Sequence, residues 1–214
     1  MMTLVGQYDS PFVRRVAITL NLYGLPFTRN AMSVFSDAEE MAKINPMVRI
    51  PSLVLDDGGV LIDSAAIIDY LDGLVGPGRS LTPAQEPERQ RVLQIMAYAT
   101  GAVDKLGTIT YEQAFHPPQH VSQDWIARCH RQLEGALQVL EEIPKDPYFL
   151  GEILTQADIT AGVMIGYMKL GRYKPFPSAA CPTLEALSQR LEALDAFAAA
   201  RPSPEETMPS TVKG

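Results

Sequence analysis

Three groups of hydroxyl- and charge-bearing residues stand in order between Met1 and Leu71: Tyr8-Asp9-Ser10-Pro11-Phe12, Arg49-Ile50-Pro51 and Asp63-Ser64-Ala65-Ala66. Ser10 directly precedes Pro11, a residue favoured at the first helical position, so its hydroxyl is placed to cap a helix. The same hydroxyl, with the positive end of that helix, could stabilise a bound thiolate. A one-unit fall in a thiol pKa is about 1.4 kcal/mol of preference for the anion. A charge-assisted hydrogen bond supplies about 1.5–3 kcal/mol, so one hydroxyl suffices to ionise a useful fraction near neutrality. Tyr8 is the rival hydroxyl, although an aromatic two residues earlier in a strand commonly serves packing.

Ile50-Pro51 enters an extended segment, where Pro cannot pair through its own nitrogen and marks a strand start or edge. A cis bond there would turn the N–H and C=O of Ile50 outward, so that an extended peptide could pair with them as a short added strand. Ser64 or Asp63 can cap a helix, and the N–H groups and hydroxyl at such a start also bind a carboxylate. Each group is a weak pointer alone. In this order they fit one small acidic peptide held at three points.

The elements that must position them follow from periodicity. Thr3 to Tyr8 is β-prone, and Val13, Val16, Ala17 and Leu20 recur at helical spacing over Pro11 to Tyr23, with Arg14 and Arg15 off that stripe. Gly24-Leu25-Pro26 stops the helix and Phe27 to Met32 forms a second strand, which predicts a right-handed βαβ unit with parallel strands. Asp37 to Ile44 is a short helix ended by Asn45-Pro46. Asp56-Asp57-Gly58-Gly59 separates two apolar runs and predicts an antiparallel hairpin, after which Ser64 to Leu74 is helical. The sum is a thioredoxin-like α/β domain over residues 1–75, a Pro- and Gly-rich linker over 76–87, and an all-α helical bundle over 88–200. The expected helices are Glu88 to about Thr110, Gln123 to Glu142, Gln156 to Leu170, and Thr183 to Ala200 with a break near Leu194-Asp195. Residues 201–214 carry Pro, Ser and Thr with little to bury, which predicts a frayed tail.

Other candidates have plainer roles. Thr155-Gln156-Ala157-Asp158 matches a capping box with Asp in place of Glu. His116 and His120 fall in a proline-containing loop with no third ligand nearby, and Cys129 and Cys181 form no CxxC, so no metal site is expected. Tyr98, Tyr111, Phe115 and Trp125 are core or interface residues, one or two of which could line an apolar pocket. The chain has 214 residues, 46% of them apolar, enough to bury a core, and its formal charge of −7 leaves no basic stripe for nucleic acid. The N-terminal apolar run is too short for a signal peptide and no 18-residue apolar stretch occurs, so the expected location is cytoplasmic, with no membrane partner.

With these residues in place, the sequence resembles the soluble glutathione transferases from Thr3 to about Ala200. The resemblance is carried by YDSPFVRRV, NPMVRIPSLVL, DSAAIIDYL and GEILTQADITAGVM. It implies glutathione as co-substrate, a soft hydrophobic electrophile bound mainly by the helical half, a detoxification role and a homodimer. Ser10, within SPF, looks like the thiolate-activating serine of the tau-like classes. Ile50 matches the residue whose backbone pairs with the cysteinyl part of glutathione, and Pro51 the family's cis-proline. Asp63 and Ser64 match the pair that holds the γ-glutamyl end. Arg49 stands where relatives often have lysine, as a cation for the glycyl carboxylate. No cysteine occupies the Ser10 position, which sets the chain apart from thiol transferases that need one. The competing functions are a non-catalytic glutathione-binding module and a glutathione-dependent isomerase or dehalogenase.

Overall fold

Val5, Ser52 and Ile62 lie side by side on three adjacent strands, and this row organises the N-terminal part of the molecule. The computed structural model describes residues 1–170 and 176–207. Strand β1 (Met2–Val5) leads through a turn into helix α1 (Pro11–Tyr23), strand β2 (Phe27–Asn30) and helix α2 (Ala38–Ile44). Strands β3 (Ser52–Val54) and β4 (Val60–Ile62) form the hairpin, and helix α3 (Ser64–Val75) follows. The sheet order is β2-β1-β3-β4, with β1 and β2 parallel and the other pairs antiparallel. This is the expected thioredoxin-like plan. Gly24, at φ 65°, closes α1 in the left-handed conformation that glycine adopts without penalty.

The further helices among the described residues are α4 (Glu88–Phe115), α5 (Gln123–Glu142), α6 (Gln156–Lys169), α7 (Pro182–Glu192), α8 (Asp195–Ala198) and α9 (Pro204–Thr207), with a 3-10 turn at Pro118–His120. Helix α4 outruns its expected end by five residues, because nothing between Thr110 and Phe115 breaks it before Pro117. The expected break near Leu194 is present between α7 and α8. Helix α6 starts at the capping box: Asp158 is fully buried and accepts Thr155 N and Thr155 Oγ1 at 2.8 Å and Phe149 N at 2.9 Å. Burial raises its carboxyl pKa, and those donors pull it back down.

Two sequence expectations need correction. The described residues divide into one unit of residues 1–84 together with 192–207 and another of residues 85–191, so the segment 192–207 groups with the N-terminal sheet and not with the helical unit. Arg14 and Arg15, off the apolar stripe, are nevertheless buried, because α1 is enclosed almost all round. Arg14 grips both oxygens of Glu192 at 2.8 Å, donates through Nε to Ala200 O at 3.0 Å, and lies over the Phe197 ring. A bidentate guanidinium–carboxylate pair of this kind is geometrically demanding, and lysine cannot reproduce it. Arg14→Met is expected to cost about 2–3 kcal/mol, below the full penalty for an unpaired buried charge because Glu192 is 28% exposed. Urea unfolding measures this, and an unchanged midpoint would contradict it.

The second correction concerns the tail. Residues 201–207 are ordered onto the N-terminal unit: Ser203-Pro204-Glu205-Glu206 opens α9, and Glu206 is only 7% exposed. Ser203 N donates to Glu206 Oε2 at 2.9 Å, the return half of a capping box. The rest of the expected tail, 208–214, lies outside the described residues.

Candidate functional site

The register of β1, β3 and β4 decides which sequence segments meet. Val5 opposes Ser52, and Ser52 opposes Ile62, so the end of β1, the start of β3 and the end of β4 share one end of the sheet. The turn to Ser10, the Ile50-Pro51 peptide and the Asp63-Ser64 helix start therefore leave the sheet together. Two inter-strand spacings separate β1 from β4, about 10 Å in all. Three extended residues span about the same length.

Gly6 brings the first two segments into contact. At φ 133° it adopts backbone geometry that side chains rarely tolerate, and a Cβ there would lie 2.5 Å from Val13 Cγ2 and 3.0 Å from Ile50 Cβ. No other residue fits between α1 and the Ile50 segment.

Ser10 caps α1 as expected, but its hydroxyl stands 3.4 Å from Val13 N, beyond the usual range for a strong bond. Among the described residues the hydroxyl has no acceptor for its proton, so it is placed to donate. Ser10 N donates to Gln7 O at 3.2 Å, which defines a Gln7–Ser10 turn.

Tyr8 differs in kind. Its side chain is 6% exposed, and the Arg29 guanidinium sits 3.5 Å from its ring centroid. Burial raises the phenol pKa, with Arg29 opposing and Glu206 adding to the shift. Tyr8 is a packed aromatic.

The Ile50–Pro51 peptide is cis, and Pro51 is buried. Among the described residues neither the N–H nor the C=O of Ile50 has a partner. The loop before it is held by buried Asn45, whose Nδ2 donates to Arg49 O at 2.9 Å and Ser52 Oγ at 3.3 Å while its Oδ1 accepts Met47 N at 3.0 Å. Val48 in that loop has φ 50°, a costly conformation for a β-branched residue. Arg49 is exposed, and no ion pair to it occurs among the described residues.

At the third segment Asp63 has φ 71° and caps α3, Oδ1 accepting Ala65 N at 2.8 Å. A non-glycine residue held there costs about 1–3 kcal/mol and persists only where its surroundings dictate it. Ser64 is 3% exposed, and neither its hydroxyl nor its N–H has a partner among the described residues. The structure brings Ser10, Arg49, Ile50, Pro51, Asp63 and Ser64, all expected from the sequence, to one end of the sheet, with Tyr8 packed beside them; Gly6, Asn45 and Glu206, which shape the same segments, were not expected. The Ser203-x-x-Glu206 capping pattern was the available pointer to the last.

The glutathione S-transferase N-terminal domain model matches residues 4–79, and the C-terminal domain model of the same family matches residues 123–200. The GST-like protein YibF of Escherichia coli K12 is 29% identical over 94% of this chain and 98% of its own length. A maleylacetoacetate isomerase of Rhizobium meliloti is also 29% identical, over 88% of this chain and 90% of its own. A glutathione S-transferase from Methylobacterium radiotolerans, solved with glutathione sulfonate, superposes with a TM-score of 0.85 at 29% identity, covering 94% of each chain. The fold and both halves of the sequence thus define one class: the chain belongs to the soluble glutathione transferase family. Among the described residues no helix is long and apolar enough to cross a membrane, and no group of His, Cys, Asp and Glu could hold a metal ion.

Proposed function

We propose that this protein is a serine-type, tau-like glutathione transferase: it binds glutathione, lowers its thiol pKa through Ser10 and the α1 N-terminus, and lets the thiolate attack a soft hydrophobic electrophile. The observation that carries this reading is the Val5–Ser52–Ile62 row, which sets the three segments across about 10 Å, the reach of an extended tripeptide. The cysteinyl residue pairs with the open N–H and C=O of Ile50, beside cis-Pro51. The γ-glutamyl carboxylate takes the Ser64 N–H and hydroxyl. Its ammonium takes Asp63, whose Oδ2 has no partner among the described residues. Arg49 reaches the glycyl carboxylate. Relatives solved with glutathione or a derivative support this assignment of ligand.

Catalysis is then proximity plus anion stabilisation, without a covalent enzyme intermediate. The lone hydroxyl of Ser10 donates to the developing thiolate while Tyr8 remains a neutral packing residue. A cytoplasmic homodimer with a detoxification role completes the reading.

The experiment is an ultraviolet difference spectrum of the protein with glutathione across pH. An absorbance of bound thiolate titrating well below free glutathione is the expected result. Binding without that signal, and without turnover over a panel of electrophiles, would replace the enzyme by a glutathione-binding module. A second reading, glutathione-dependent isomerisation, is favoured by the isomerase relative from Rhizobium meliloti. In that case the same thiolate adds to a double bond and leaves again, with glutathione recovered unchanged at the end of the assay.

A further inference from the structure

The strongest unassigned feature is a buried carboxylate beneath the turn that carries Ser10. Glu206 Oε1 accepts the main-chain N–H of Tyr8 at 2.8 Å across 198 positions of sequence, and pairs with the Arg29 guanidinium. Its other oxygen accepts Ser203 N at 2.9 Å. The guanidinium that neutralises Glu206 also stacks on the Tyr8 ring. Tyr8 is thereby held from two directions, by its N–H and by its ring.

The main chain around Tyr8 is held on either side, and Arg14 N donates to Ser10 O at 2.9 Å where the turn enters α1. Gly6 N is held by Asn30 O at 2.8 Å before it, and Ser10 N by Gln7 O within it. Tyr8 lies between, and its N–H is buried, so without Glu206 it would be a donor with no acceptor, which a folded chain tolerates poorly. The turn would then shift to satisfy it, and Ser10 would move with the turn. Merely fastening a chain end needs no buried bond to this particular N–H; an exposed ion pair would serve.

We propose that Glu206 is a positioning residue, which through the Tyr8 N–H and Arg29 fixes the Gln7–Ser10 turn so that the Ser10 hydroxyl meets the glutathione thiol. The inference rests on the glutathione reading above and adds to it a part played by the far end of the sequence. Carboxylate charge is secondary here, since Arg29 neutralises it. The acceptor oxygen is what the turn requires.

The test is the pH titration of enzyme-bound glutathione thiol, with kcat and KM, for wild type, Glu206→Ala and Glu206→Gln. Glu206→Ala is expected to raise the bound-thiol pKa by about one unit and to lower kcat about tenfold near neutrality, with KM for glutathione changed less than about threefold. Glu206→Gln, whose amide oxygen still accepts the Tyr8 N–H, is expected to recover most of the loss; failure of Gln to rescue would overturn the positioning role. A folded Glu206→Ala protein with wild-type pKa and kcat would overturn it too. Should Glu206→Ala not fold, Glu206→Asp keeps the charge but shortens the reach, and wild-type values there would count equally against it. Absence of any thiolate signal in wild type would instead remove the transferase reading itself, so the two failures separate.

Discussion

Ser10→Ala is expected to raise the pKa of bound glutathione's thiol by about one to two units, the equivalent of one lost charge-assisted hydrogen bond of about 1.5–3 kcal/mol. Near neutrality kcat/KM should fall about 10- to 150-fold. The sign of the pH effect is fixed by the ionisation. Below the wild-type thiol pKa both proteins are mostly thiol, and the variant has less thiolate by the full ratio. As pH rises through the variant's own pKa the difference closes. A loss that stayed constant up to high pH would show that Ser10 acts on orientation and not on ionisation. Removing the cap costs little stability, because the Ser10–Val13 bond is long at 3.4 Å, and the variant should fold. Ser10→Thr keeps a hydroxyl and should recover much of the activity. Tyr8→Phe supplies the contrast: with the phenol buried against Arg29 and its pKa raised, its loss should leave the bound-thiol pKa within about 0.3 units of wild type. If Tyr8→Phe and not Ser10→Ala shifts the thiol, the assignment of the activating hydroxyl reverses.

The largest stability effect is expected at Asp158. Its two oxygens receive Phe149 N, Thr155 N and Thr155 Oγ1, and the residue is fully buried, so Asp158→Ala strands two main-chain donors and a hydroxyl away from water. Each stranded group costs about 1–3 kcal/mol, and a total of about 3–5 kcal/mol follows after partial relaxation. Asp158→Asn retains one acceptor oxygen but sets an NH2 group against a donor, so it should lie between Ala and wild type. Denaturant melts of the three proteins measure this, and a loss under about 1 kcal/mol for Ala would show that water reaches the freed donors. Since Asp158 sits outside the glutathione segments, the variant at low temperature should keep the bound-thiol pKa of wild type.

The features legible in the sequence are those written in a few adjacent residues. Ser10-Pro11 specifies a cap, Asp56-Asp57-Gly58-Gly59 a turn, and Thr155 to Asp158 a capping box, each through local hydrogen bonds or glycine geometry. Ile50-Pro51 was legible locally as a strand start whose cis form would leave Ile50 open, and the family resemblance pointed to the cis form that the structure has. What could not be read locally depends on distant partners. Arg14 is buried because Glu192, Ala200 and Phe197 receive it, and no periodicity in α1 announces them. Glu206 is buried because Arg29 and the Tyr8 N–H await it, although composition around it suggested solvent. Val48 and Asp63 adopt positive φ without being glycine, which no propensity rule anticipates; the strain makes sense only once the loops they shape are seen to meet.

Residues 192–207 complete a unit whose other part is residues 1–84, with an intervening helical unit between them in the sequence. On a ribosome adding about 5–20 residues per second, the sheet and the helices α1, α2 and α3 are made roughly 6–25 s before Glu206 emerges. Throughout that interval Arg14 lacks its carboxylate and the Tyr8 N–H its acceptor. Until then the Gln7–Ser10 turn lacks the bond from the Tyr8 N–H, so the positioning we propose for Glu206 can act only once translation has delivered the last part of the unit.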